Sequence, residues 1–161
     1  MRTSTMAACV VLAMAPARAS QIAYRPVPLA DVLARSTLVV IGKRVKPDDR
    51  RGYQVGDEAF AIVEVLKGDA RHKGRTILVE PFERAIEASM AAHHAANGGT
   101  ISPIVDTYES SLSEVRYLGT PRVIVFLICE GDACRFATRR AYEAVTRRAQ
   151  IVKLLAARAA R

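Results

Sequence analysis

Residues 37–82 read TLVVIGKRVKPDDRRGYQVGDEAFAIVEVLKGDARHKGRTILVEPF. Three apolar, β-branched runs stand in this stretch, at residues 37–45, 58–66 and 76–82. Each reads as a strand. Pro47, Gly52 and Gly56 mark a loop after the first, and Lys67-Gly68-Asp69 marks a turn after the second. No helical period separates the three runs. Parallel neighbours need a crossover, so strands joined this directly pair antiparallel, and a doubly wound parallel sheet is disfavoured. In the second run Phe60 and Ile62 point to one side, and Ala61, Val63 and Val65 to the other, so both faces are expected to be partly buried.

Working outward, residues 28–35 (PLADVLAR) place Leu29, Val32 and Leu33 on one helical face, and Ser36 ends that helix. Residues 84–97 (RAIEASMAAHHAAN) form an Ala-rich helix stopped by Gly98-Gly99. Residues 100–121 read as a long irregular crossing with one helical turn around 109–115. Residues 122–128 (RVIVFLI) give a central strand, and 135–145 a fifth, bent strand. Residues 149–160 close the chain as a helix with Ile151, Val152, Leu154 and Leu155 inward. The order predicts a mainly β fold: a five-stranded OB-like Greek-key barrel with a helix between strands 3 and 4 and a C-terminal helix. An open α+β sandwich of the same strands is the alternative. The length of 161 residues and the lack of an internal repeat suit one domain.

The composition is that of an ordinary folded domain, with 50% hydrophobic and 25% charged residues, which argues against disorder. No apolar run reaches the 18 or so residues of a spanning helix. Arg2, the apolar run 6–15 (MAACVVLAMA) and the small-residue site Ala17-Arg18-Ala19 stand in the order of an export leader. The expectation is a signal peptide over 1–19 cleaved between Ala19 and Ser20. A domain of 20–161 would then be secreted or periplasmic, with no transmembrane segment after cleavage. A buried N-terminal helix is the other reading. Loss of Arg2 and Arg18 would leave 22 basic against 16 acidic residues, a net +6. Eight of the basic residues fall between Arg135 and Arg161. Such a tail suits anionic lipid or polymer, or simply a solvated helix face. Cys9 would leave with the leader. Cys129 and Cys134 would remain, an even count that predicts a disulfide across the turn 130–133. Their spacing fits neither a zinc site nor a CxxC redox motif.

Four stretches, PLADVLARSTLVVIGKRV (28–45), FAIVEVLKGD (60–69), GRTILVEPF (74–82) and YLGTPRVIVFLICEGDACRF (117–136), together resemble exported bacterial proteins with a netrin-like, TIMP-like OB barrel. In such proteins a helix leads into a "vvvGkV" strand, matched here by 39–45. A "V-x-V-L-K-G" strand end follows, matched by 63–68. A later "G-x-R-x-x-v-F-L" strand is matched by 119–127, where Thr120-Pro121 separate Gly119 from Arg122. The likeness covers about two thirds of residues 20–161 and consists of strand and turn residues, so it implies a fold and no chemistry. Netrin-like metalloprotease inhibitors carry a Cys at the mature N-terminus. Here the expected start is Ser20-Gln21 and the first remaining Cys is Cys129, so the inhibitor's defining residue is missing.

Motifs for chemistry are sparse. His93-His94 are adjacent on a helix and diverge by about 100°, unlike an i, i+4 ligand pair. His72 stands between Arg71 and Lys73. No G-x-S-x-G, HExxH or P-loop motif occurs. Glu80, Glu83, Asp106 and Glu109 could supply a hydrolytic carboxylate pair, though their spacing selects none. No catalytic residue, metal ligand or cofactor is therefore assigned. Nucleic acid is an unfavoured partner, because aromatics are only 6% with no Trp, and Phe60, Phe82 and Phe126 are expected in the core. Tyr108 and Tyr117 lie in the long 100–121 segment and are the expected partner surface. The function expected is a non-catalytic envelope binding protein contacting another envelope or secreted protein. The alternatives are a secreted hydrolase with an acidic site, or a structural envelope component whose basic C-terminal helix holds anionic polymer or lipid.

Overall fold

The computed structural model describes residues 23–46, 56–97 and 104–160. The expected leader and its Ala19/Ser20 junction lie outside them. Strand β1 (Ala23–Val27) leads into α1 (Leu29–Arg35), which buries Val32 and Leu33. Three barrel strands follow, β2 (Leu38–Val45), β3 (Glu58–Lys67) and β4 (Thr76–Glu80). Helix α2 (Phe82–Asn97) comes next, then β5 (Ile104–Tyr108) and α3 (Glu114–Gly119). The chain finishes with β6 (Arg122–Glu130), β7 (Ala133–Phe136), β8 (Tyr142–Ala144) and α4 (Arg148–Ala159).

Strands β2, β3, β4, β7 and β6 pair in that order, and β6 pairs again with β2, which closes a five-stranded barrel. The β4–β7 pair is parallel and the other barrel pairs are antiparallel. Counting barrel strands in chain order gives the ring 1-2-3-5-4-1, the OB-like connectivity, with α2 between the third and fourth. Closure needs sharp curvature. The β2–β3 register shifts twice, between Val39 and Val40 and between Ile41 and Gly42. At the second shift a Cβ on Gly42 would lie 3.0 Å from Phe60 Cβ, so the bare backbone lets Phe60 pack against the bend. Phe60, Phe126, Leu38, Ile124, Leu127 and Ile151 are among the largest fully buried side chains.

The fifth strand expected over 135–145 is present as two pieces. β7 pairs with β6 at Leu127–Glu130 and β8 pairs with it at Val123–Val125. Ala137 N–H donates to Phe126 O and Phe126 N–H to Ala141 O, so residues 138–140 loop out between them. Arg140 turns the chain there at φ 57.

Part of the crossing expected to be irregular is ordered. β5 pairs in parallel with β1, from Ala23↔Ile104 to Val27↔Tyr108. Its partner lies about eighty residues away and carries Pro26, so no local pattern revealed the pairing. The helical turn expected around 109–115 sits later, at α3. Ser113 caps it by accepting a hydrogen bond from Arg116 N–H at 3.3 Å. Val63, expected partly buried, is exposed on β3, and Val152, expected inward, is 38% exposed. Among the described residues no helix is long and apolar enough to cross a membrane.

Cys129 and Cys134 face each other across the β6–β7 hairpin with their sulfurs 2.09 Å apart, within bonding distance. Mass measurement of oxidised protein should show no free thiol at these positions. Two alkylatable thiols would contradict the bond. A loop this short restrains the unfolded chain modestly, so the double Cys→Ala variant should lose about 2 kcal/mol.

Gly68 ends β3 at φ +100, and a Cβ there would lie 2.7 Å from Thr37 O. Gly68→Ala should therefore cost roughly 1–3 kcal/mol in denaturant melts. Gly119→Ala, with nothing within 4 Å of the added Cβ, should change stability by less than about 0.5 kcal/mol. Equal effects from the two substitutions would contradict the packing at Gly68.

Candidate functional site

The segment from β5 to α3 is held on the barrel by two buried side-chain clusters. The first centres on Glu143 of β8, which is fully buried. Its carboxylate accepts from Tyr108 Oη at 2.6 Å, from the Ser111 hydroxyl and N–H, and from its neighbour Ala144 N–H at 2.8 Å. Arg147 Nη1 lies 3.1 Å away and supplies a positive charge. Burial alone pushes this carboxyl up. The donors from Ser111, Tyr108 and Ala144 outweigh burial and hold it below the usual Glu range. Glu143 therefore stays ionised and ties residues 108–111 to β8.

The second cluster fixes α3. Tyr117 is its buried residue and stacks on Tyr142 of β8, with centroids 3.7 Å apart and planes 7° from parallel. The Arg44 guanidinium of β2 covers Tyr117 at 4.1 Å. Two groups at those distances cannot share one face, so the Tyr117 ring is sandwiched between a cation and a second ring. Glu58 Oε2 accepts from Tyr117 Oη at 2.6 Å and from Arg44 Nη2 at 2.7 Å. Burial, then the adjacent Glu58 charge, drives the Tyr117 hydroxyl well above its ordinary pKa. It therefore acts as a fixed hydrogen-bond donor.

These clusters correct one expectation. Tyr108 and Tyr117, read as a partner surface, are each only 3% exposed. Their rings fill space under the 108–119 segment, with Tyr108 edge-on to Phe126, and their hydroxyls are spent on Glu143 and Glu58. The exposed apolar groups of the segment are instead Ile104, Val115 and Leu118, at 68%, 81% and 64%. Sequence reasoning favoured rings over aliphatics and passed over these three. The i, i+3 spacing of Val115 and Leu118, set against Tyr117, was the available signal.

Beside α3 lies a cavity of about 130 Å³ lined by Phe82, Glu83, Tyr117, Leu118, Arg139 and Tyr142, among others. Two of its carboxylates are paired with arginines. Glu58 pairs with Arg44, and Glu83 lies 3.8 Å from Arg139. The carboxylates considered for hydrolysis are dispersed. Glu83 faces this cavity, whereas Asp106 and Glu109 line two others. Glu80 lies 3.9 Å from Arg84. Asp106 is bound by Arg25 at 2.6 Å and by Arg35, and these partners, Arg25 foremost, lower its pKa to about 2. A general acid at neutral pH needs the opposite shift. Among the described residues no three His, Cys, Asp or Glu side chains gather as a metal site. The side chains of His93 and His94 lie outside the described set.

The depressed Glu143 pKa has a pH consequence. Ionised Glu143 contributes stability above its unfolded value of about 4.5, and that contribution is lost as pH falls through the lower folded value. Glu143→Gln should cost roughly 2–3 kcal/mol at pH 7 and flatten the acid side of the stability curve below about pH 4.5. An unchanged acid limb in pH-dependent urea melts would contradict the assignment.

Comparison of the chain with known protein families, with curated proteins and with solved structures returned no match.

Proposed function

We propose that this protein is an exported, non-catalytic binding protein of the cell envelope, with a netrin-like OB barrel, that acts by contacting another envelope or secreted protein. The observation that carries the reading is the outward face of α3. Val115 and Leu118 stand in solvent on a helix that the Arg44–Tyr117–Tyr142 sandwich holds in place. Contiguous apolar exposure marks an interaction surface more often than chance, and a pre-positioned element loses little entropy on binding. Exposed Glu114 and Arg116 supply a polar border around the apolar pair.

Export is supported by the leader-like residues 1–19 and by the paired cysteines, which suit an oxidising compartment. The reading does not extend to metalloprotease inhibition, because the expected N-terminus lacks the required Cys. Binding is favoured over hydrolysis because Asp106 and Glu83 are engaged by arginines and the candidate acids face separate cavities.

Site-specific photo-crosslinking from position 115 in envelope extract is the test. One saturable partner should be labelled. With that partner purified, Leu118→Asp should weaken binding about tenfold or more. Val63→Asp, an exposed position on β3, should leave it unchanged. Labelling that does not saturate, or equal loss from both substitutions, would overturn the reading.

A further inference from the structure

Helix α4 carries a second apolar stripe that the barrel covers only in part: Leu155 packs against the core, while Val152, Ala156 and Ala159 are exposed. Ile151 is its buried residue. Val152, Leu155, Ala156 and Ala159 follow the i, i+3, i+4, i+7 spacing of one helical face. Together with Leu66 at the end of β3, they line a groove of about 540 Å³. The charged residues lining it are Lys67 and Arg158, with no carboxylate among them.

Both cations are tied to backbone carbonyls of α1 and its cap, Lys67 at the C-terminal end and Arg158 in the first turn. Lys67 Nζ donates to Leu33 O at 2.7 Å and to Ser36 O, and Arg158 Nη1 donates to Ala30 O at 3.0 Å. Carbonyls at a helix C-terminus attract cations but carry only a partial charge. Lys67 and Arg158 nonetheless line the same groove, and no carboxylate lies between them in its described lining. Burial, and next the Arg158 charge, pull the Lys67 pKa below its ordinary value. An ammonium has three N–H groups and a guanidinium five, and among the described residues the protein accepts two from Lys67 and one from Arg158. An anion at this end of the groove would accept from these groups and relieve the repulsion.

We infer that the α4–β3 groove binds a single-chain anionic amphiphile, a fatty acid. Its carboxylate would sit between Lys67 and Arg158, and its acyl chain would lie along Leu66, Val152, Leu155 and Ala156. The groove is open and mostly apolar, with two cations in its lining, and its volume lies in the range usual for small-ligand sites. The site goes beyond the α3 reading and shares no residue with it.

The test is calorimetric titration of the full chain with dodecanoate held below its micellar concentration. One-to-one saturable binding is expected, with little binding of butyrate, which lacks the chain, or of dodecyltrimethylammonium, which reverses the charge. Arg158→Gln should weaken dodecanoate binding about tenfold or more, and Arg158→Lys should restore most of it. Ala156→Phe, at an exposed position, should abolish binding by filling the groove while leaving the melting temperature unchanged. The proposal is overturned if the cationic amphiphile binds equally well, if Ala156→Phe binds dodecanoate normally, or if the protein binds only anionic phosphatidylglycerol vesicles and not the monomer.

Discussion

Six residue pairs between Leu38–Lys43 of β2 and Arg122–Leu127 of β6 turn a sheet into a cylinder. Everything else in the molecule follows from that seam. Once it is made, one side of each barrel strand faces inward, and with the elements packed outside the ring Val39, Val40, Ile124, Val125 and Phe126 are sealed from water on both faces. The ring leaves little free strand edge, its weakest join being the two residue pairs between β4 and β7. The exposed large aliphatics on helices, Val115, Leu118 and Val152, lie on elements outside the ring, α3 and α4.

Those two helices are anchored by different physics. α3 has six residues, too few to be stable alone. It persists because Tyr117 is clamped between Arg44 and Tyr142 and because Glu143 fixes the strap that leads into it. α4 is longer and is held through Ile151, through the Arg148–Glu64 ion pair and through Arg158 on α1. In each case one buried or paired residue holds the helix while aliphatic neighbours remain in solvent. The same arrangement leaves an exposed aliphatic pair on α3 and an apolar groove wall on α4.

The barrel was legible because its signals are local. Residues 37–45, 58–66, 76–82 and 122–128 carry strand composition with turn residues between them, and their order suits a barrel or an open sandwich, between which the β2–β6 pairing decides. The β1–β5 ladder was not legible, since two five-residue strands with Pro26 and Asp106 among them show little periodicity and pair across about half of the chain. The candidate site was hidden for a related reason. Tyr108 and Tyr117 look like binding residues in a loop until Glu143 and Glu58, from distant strands, take up their hydroxyls. A glutamate among basic residues in a short strand gives no hint that it will be buried. Val152 was misplaced because α4 has apolar residues on more than one face, and period alone does not tell which face meets the barrel.

Residue-resolved amide hydrogen exchange by NMR tests the central claim, the β2–β6 seam, most directly. In a closed barrel both strands have neighbours on either side. Alternate amides along Leu38–Lys43 point to β3 and to β6, and both sets should exchange only on global unfolding. Fast exchange at every second amide of that stretch, with slow exchange at the others, would mean that β2 has an open edge and that the barrel does not close.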